Sequence, residues 1–329
     1  MKYIIGIDGG GTQTVGYLAD ENQNLMQKEK VGPTNYHSVG IKKVKKNLKM
    51  LIENLCEKSK IKVEDVTFVS SGIAGVDRPE DKALLRNILK QLGYDFKIIV
   101  NNDVKTALTN AHGEQKGIML VCGTGSIAAG VNGKNNFVRV GGWGHLIGDE
   151  GSGYKIAIKM LQKIMKSFDG REKSTELTEL VLKELGIEEP LEILDYVYNP
   201  EISKENIADL TPLLFEAIRA GDDIAREIVD NAADNLLEMV KTVIGKLKLS
   251  EKDQIISLSG GVFENSKIMK ETFKNKTKKE MPSITFREPK FPPGIGALII
   301  GWNELGIEPD EEYIFNQLEL HKQTELQSV

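Results

Sequence analysis

Apolar positions in the first hundred residues fall into short runs broken by turns and into longer stretches with helical spacing. Residues 3–8 form an apolar run that ends in glycines, which predicts a buried strand. Residues 14–19 follow at once as a second strand, and 25–31 supply a third. From 41 to about 58, Ile41, Val44, Leu48, Leu51, Ile52 and Leu55 recur at helical spacing with lysines on the other side, which predicts an amphipathic helix. A strand at 66–70, a helix at 79–92 and a strand at 97–100 complete the stretch. Meandering strands followed by strand–helix units imply a mixed sheet covered by helices.

A second cycle opens at Gly117. Residues 118–122 read as a strand, 127–131 as the returning strand and 138–140 as a third. The order strand, glycine-rich turn, strand therefore occurs twice, which points weakly to a duplicated fold. The middle is mostly helical, with apolar stripes along 155–168 and 223–244 that predict core packing. Strand signals return at 254–259 and 283–287, a helix opens after a Pro-Pro-Gly turn at 294–305, and 323–329 reads as a polar, frayed tail.

Composition narrows the class. The chain has 329 residues, 40% hydrophobic and 28% charged, enough for two folded domains. Its formal charge of -5, with no segment concentrating Lys and Arg, gives no footing for nucleic acid. No apolar run approaches a membrane span or a signal-peptide core, so no membrane or export role is expected. Two cysteines, Cys56 and Cys122, give neither a disulfide framework nor metal spacing. A reduced, cytoplasmic setting is the expectation.

The chemistry concentrates in glycine-rich turns. Asp8-Gly9-Gly10-Gly11-Thr12-Gln13-Thr14 follows a strand directly. Glycines let the backbone bend and leave amides open to phosphate oxygens, Thr12 and Thr14 add hydroxyls, and Asp8 is placed to hold a hydrated Mg²⁺. An ordinary hairpin turn would read the same way. Gly123-Thr124-Gly125-Ser126 repeats the device, and two such turns can hold a polyphosphate from opposite sides. Ser259-Gly260-Gly261-Val262-Phe263-Glu264-Asn265 follows a late strand and offers close backbone access to a flat ligand. Asp103, after the strand 97–100, is either a helix N-cap or a catalytic base that orients an attacking hydroxyl. From Gly141 to Tyr154, seven of 14 residues are Gly or Ser, yet they surround Trp143, His145, Asp149 and Glu150, a set suited to sugar hydroxyls. Asn35, after Gly32-Pro33, can reach the same place.

Together these segments resemble the N-acetylglucosamine kinase and BadF-type ATPase family, within the sugar kinase, heat-shock ATPase and actin superfamily. The resemblance implies an α/β chain with two ribonuclease H-like, actin-like domains around a nucleotide cleft. It places the first domain at 1–114, with a helix at about 294–320 returning to it, and the second at 115–293, with a helical insertion at about 155–246. It implies ATP and Mg²⁺ as cofactors, transfer of the γ-phosphoryl group to the 6-hydroxyl of an N-acetylated amino sugar, and a homodimer. Carried over by position, Asp103 is the catalytic aspartate. Gly10, Gly11, Thr12, Thr14, Gly123, Thr124 and Gly125 hold the phosphates, Gly260, Gly261 and Asn265 the adenosine, and the helical region 211–223, with Ala217 and Gly221, also touches the adenine. Asn35, Ser126, Gly142, Trp143, Gly144, His145 and Asp149 surround the sugar. The same family contains ATPase activators of CoA-ester dehydratases, which hold an iron–sulfur cluster through cysteines. That alternative, and a non-catalytic sugar sensor, remain as rival readings.

Overall fold

A computed structural model describes residues 1–327 except 11, 12, 77, 113–115 and 135. The chain divides into two compact units, residues 1–116 with 288–329 and residues 117–287.

Unit 1 opens with three antiparallel strands, β1 (Tyr3–Gly9), β2 (Thr14–Asp20) and β3 (Leu25–Val31). The short helix α1 (Tyr36–Val39) and α2 (Ile41–Lys58) follow, then β4 (Val66–Ile73), α3 (Pro79–Lys90), β5 (Lys97–Asn102) and α4 (Asp103–His112). The sheet order is β3-β2-β1-β4-β5, with β1, β4 and β5 parallel. Ile4, Ile5 and Ile7 of β1 are fully buried, because a central strand covered by helices on both faces must be apolar throughout. On one face α2 inserts Val44, Leu48, Leu51, Ile52 and Leu55 and turns its lysines outward.

Unit 2 begins with β6 (Gly117–Cys122), β7 (Ser126–Val131) and β8 (Phe137–Gly141). Six helices then run in succession: α5 (Gly153–Phe168), α6 (Leu177–Leu185), α7 (Ile193–Val197), α8 (Lys204–Ala208), α9 (Thr211–Arg219) and α10 (Asp223–Leu247). The chain closes this unit with β9 (Ile255–Ser259), α11 (Gly261–Asn265), α12 (Lys267–Glu280) and the two-residue β10 (Thr285–Phe286). Its sheet order, β8-β7-β6-β9-β10, repeats that of unit 1 strand for strand, with the same mixture of antiparallel and parallel pairs.

The chain then returns to unit 1 as α13 (Pro293–Glu304) and α14 (Glu311–Gln327). Every residue of α13 from Gly294 to Trp302 is buried, on the face of the sheet opposite α2. Glycines allow this approach: a Cβ on Gly6 of β1 would lie 2.6 Å from the Gly294 carbonyl oxygen, and one on Gly296 only 2.1 Å from that of Thr106. The Trp302 indole donates to the Asp20 carbonyl at 3.0 Å. Two expectations change. β4 runs past the expected end at 70 through Ser71-Gly72-Ile73, which pair on both sides with β1 and β5. The chain also stays helical through Gln327 instead of fraying from 323, since Ile314 and Leu318 bury themselves with Trp302.

Candidate functional site

In unit 1, parallel β1, β4 and β5 bring their C-terminal ends together. Asp8 pairs in register with Gly72, and Gly72 with Asn101, so Asp8 and Asp103 stand on either side of the end of β4. Gly72 keeps that place open: a Cβ there would lie 2.0 Å from the Thr106 hydroxyl and 3.3 Å from the Asp103 Cα. Asp103 is half-buried at the first position of α4. The Val104 amide donates to the Asn102 carboxamide at 2.7 Å and to the Asp103 carboxylate at 3.0 Å, so Asn102 shares the capping role. Burial, and after it the Asp103 carboxylate, raise the pKa of Asp8 to about 6. A buried carboxylate whose ionisation a second carboxylate opposes is a place for a cation. Magnesium, which takes few protein carboxylates and keeps waters, fits this donor set.

The turn after β1 closes with the Gly10 amide donating to the Gln13 carbonyl at 2.9 Å. The amides of Thr34 and Asn35 donate to the Gly10 carbonyl at 3.2 and 3.3 Å, which ties the segment bearing Asn35 to the glycine turn. Asn35 itself caps α1, its side chain accepting from the His37 amide. Thr14 is fully buried, and its hydroxyl pairs with that of Thr34 at 2.9 Å, so it braces the turn from beneath. Gly11 and Thr12 lie outside the described residues.

In unit 2 the turn Gly123–Gly125 is held by α5. The Gly153 amide donates to the Gly123 carbonyl at 2.8 Å, and the Tyr154 amide to the Thr124 carbonyl at 3.3 Å. Asp149 has a left-handed backbone, φ 61, and is 6% exposed. Its carboxylate lies against the turn, 2.9 Å from where a Gly125 Cβ would be. Ser126 donates its hydroxyl to the Glu150 carbonyl at 2.7 Å, and the Gly142 amide donates to the Ser126 carbonyl at 3.0 Å. The segments bearing Ser126, Gly142 and Asp149 are thus knitted around one turn. Gly144 has φ 88, and beyond it His145 stacks edge-on to Tyr154 at 5.1 Å. Trp143 stands 61% exposed, with the Arg139 guanidinium 4.4 Å over its ring.

Beside the same turn lies a cavity of about 300 Å³, lined by Gly123, Thr124, Gly261 and Asn265 together with Thr211, Pro212 and Phe215. Four of the residues expected to touch a nucleotide therefore share one pocket. Gly260 is behind it: with φ 100, a Cβ would press 2.5 Å from the Cys122 carbonyl oxygen, so glycine is required there for packing. Ala217 is fully buried in the core and does not line the cavity. The expected contact of the helical region 211–223 with the adenine falls on Thr211, Pro212 and Phe215, which line the cavity, and not on Ala217. Thr211 opens α9, and its hydroxyl donates to the Gly153 carbonyl at 2.8 Å.

Comparison with known proteins gives this geometry a context. The chain is 35% identical over 304 residues to an N-acetylmuramic acid/N-acetylglucosamine kinase of Clostridium acetobutylicum, covering 92% of this chain and 99% of that one. It is 32% identical over 313 residues to an N-acetyl-D-glucosamine kinase of Dictyostelium discoideum, covering 92% and 98%. Among solved structures, that of a proposed N-acetylglucosamine kinase from Chromobacterium violaceum superposes with a TM-score of 0.69 at 23% identity, covering 91% of this chain and 99% of the other. The ROK hexokinase from Thermus thermophilus gives 0.54 at 18%, covering 90% and 98%. These two likenesses show the fold: α/β, with two five-stranded mixed sheets of the actin-like kind. Residues 5–301 match one family model, and the chain belongs to the BadF/BadG/BcrA/BcrD ATPase family.

Proposed function

We propose that this protein is an ATP-dependent sugar kinase that transfers the γ-phosphoryl group to the 6-hydroxyl of an N-acetylated amino sugar. N-acetylglucosamine is the first candidate, followed by N-acetylmuramic acid and glucosamine. The observation that carries the reading is the placement of Asp8 and Asp103 at the ends of β1 and β5, on either side of β4, in a chain 35% identical to an amino-sugar kinase.

In this reading the 300 Å³ cavity holds the adenosine against Gly261 and Asn265, and the turn Gly123–Gly125, closed by the Gly123 amide donating to the Gly125 carbonyl, offers the backbone amides of Thr124 and Gly125 to the phosphates. Gly10, Gly11 and Thr12 serve the phosphates from the first turn, with Thr14 bracing it. Asp8 holds magnesium through water, and the ion, when bound, neutralises charge on the phosphates. Asp103 accepts a hydrogen bond from the sugar hydroxyl, orients it in line and takes its proton. Little covalent work is needed beyond this, because phosphoryl transfer proceeds through a loose transition state. Asp149 and Asn35 present polar atoms to the other sugar hydroxyls and the amide, Ser126, buried and donating to the Glu150 carbonyl, holds the turn beside them, and Gly142, Gly144, Trp143 and His145 line the remainder.

Both thiols speak against the activator reading. Cys56 and Cys122 are buried, and burial raises the pKa of each, that of Cys56 to about 11. Neither presents the exposed thiolate that a cluster requires. The working form is a cytoplasmic homodimer.

The test is ADP release measured against a panel of hexoses and amino sugars. Stimulation by N-acetylglucosamine or N-acetylmuramic acid, and not by plain hexoses, is expected. Sugar-independent turnover, or none at all, overturns the reading.

A further inference from the structure

A groove of unit 2 with a volume of about 490 Å³ lies along α5. Ile156, Ile228 and Ala232 form its apolar floor, and Lys155, Lys159 and Lys166 line it from α5. Lys163, also in the groove, is already engaged by Glu172 at 2.5 Å and Glu227 at 3.2 Å. Lys159 and Lys166 are exposed and make no ion pair among the described residues. This side of α5 is a cationic strip over an apolar base.

α5 has α10 as one neighbour and, as another, the 3₁₀ turn Pro190–Glu192 that leads into α7. This second segment has the opposite character. Glu188, Glu189, Glu192 and Asp195 are exposed and make no ion pair among the described residues. Leu191 and Leu194, interleaved with them, are 50% and 44% exposed, and Phe168 at the end of α5 is 49% exposed. Large apolar side chains left in water within an acidic rim mark a surface that is covered in the working molecule.

We propose that α5 and its two flanks form the interface of a twofold dimer, in which the α5–α10 groove of one protomer receives segment 188–195 of its partner. The proposal rests on the homodimer reading above and assigns its surface. Complementary patches that both border one helix satisfy the demand of a twofold interface, since rotation about an axis near that helix sets each patch against its counterpart twice. Lysines then meet carboxylates at the rim, which fixes register and speeds association, while Leu191, Leu194 and Phe168 supply the apolar centre.

The experiment uses the full chain and two charge-reversed variants, Lys159→Glu with Lys166→Glu, and Glu188→Lys with Asp195→Lys. Sedimentation equilibrium at micromolar concentration should find the unaltered protein dimeric, and each variant alone weakened at least tenfold in dimer affinity. Mixed one to one, the two variants should regain the dimer. In the mixed pair one contact is reversed but complementary and the other is unaltered, so recovery also proves that both variants are folded. Should a reversal fail to fold, Lys159→Gln with Lys166→Gln must still weaken the dimer. A dimer that withstands the substitutions, or a mixture that stays monomeric, overturns this surface while leaving the dimer reading intact. A monomeric parent overturns both, and sugar-stimulated ADP release in the same samples tests the kinase reading independently.

Discussion

The two glycine turns sit on the same sheet plan and differ in what surrounds them. In unit 1 the strand entering the turn ends in Asp8-Gly9, and a second carboxylate, Asp103, stands across the end of β4. In unit 2 the matching strand ends in Val121-Cys122, where the thiol is buried and donates to the Gly151 carbonyl. That turn carries no charge of its own and instead is anchored by α5 amides and opens on a cavity. On the proposed reading the duplicated frame is divided between two tasks: unit 1 uses the carboxylates of Asp8 and Asp103, and unit 2, whose turn has the Asp149 carboxylate beside it, offers shape and backbone donors. Electrostatics and packing fail in different ways when altered, so the division can be tested site by site.

The largest effect is expected at Asp103. Asp103→Asn should preserve folding and nucleotide affinity while lowering kcat by roughly 10²–10⁴-fold, the usual size of a general-base contribution. Far-UV circular dichroism together with steady-state kinetics checks it. Turnover like that of the parent would remove Asp103 from the mechanism and with it the division of labour. The counterpart in unit 2 is Gly261→Leu. A Cβ at Gly261 meets only the Asn265 side chain, at 3.6 Å, so the substitution fills the cavity without disturbing the fold. KM for ATP should rise by about tenfold or more, corresponding to ~1.4 kcal/mol or more, with KM for the sugar little changed.

Asp8 gives a stability effect with a definite sign. Its pKa rises from the model-compound 3.8 to about 6 in the folded state, chiefly through burial. The folded protein therefore holds this proton more tightly than the unfolded chain does. The stability it contributes is fully present below pH 3.8 and is lost as pH rises through 6. The loss amounts to at most roughly 3 kcal/mol. Without magnesium, Tm should carry a component that declines across that window, and Asp8→Asn should remove it. Magnesium should raise Tm more at pH 7.5 than at pH 5, because only the ionised pair attracts it.

Much of this was legible in the chain. The alternation of apolar runs and glycine turns yields both sheets, because a run such as Tyr3–Gly9 has no other way to bury four consecutive apolar residues. Asp8, Gly123 and Asp103 stand out since each directly follows an apolar strand. Less legible was what depends on distant partners. The strand expected to end at 70 continues through Ser71 and Gly72, small residues with no apolar signal that β1 and β5 bracket. The cavity wall at Thr211, Pro212 and Phe215 comes from a helix some 90 residues beyond the turn it faces, so only the family resemblance, and no local pattern, points to region 211–223. Ala217 lies in the same helix but points into the core. Hydroxyls were the hardest to assign, because Thr14 and Ser126 look equally available in sequence and each has a protein partner in the fold.

Thr14 offers the smallest and most discriminating test. As a hydroxyl beside a phosphate turn it reads as a ligand, yet it is fully buried and paired with Thr34 at 2.9 Å. Thr14→Val keeps the shape and removes one partner of that pair, leaving the Thr34 hydroxyl buried without its neighbour. The cost should be about 1–2 kcal/mol of stability, as for a buried hydrogen bond lost on one side. KM for ATP should change less than threefold, since the amides of the turn keep their places. Restoring balance with Thr34→Val in the same chain should recover part of the stability, because an apolar pair of similar shape no longer strands a polar atom. If Thr14→Val instead raised KM for ATP tenfold at unchanged Tm, the hydroxyl would touch the nucleotide directly, and unit 1 would hold phosphate by side chains where unit 2 uses backbone.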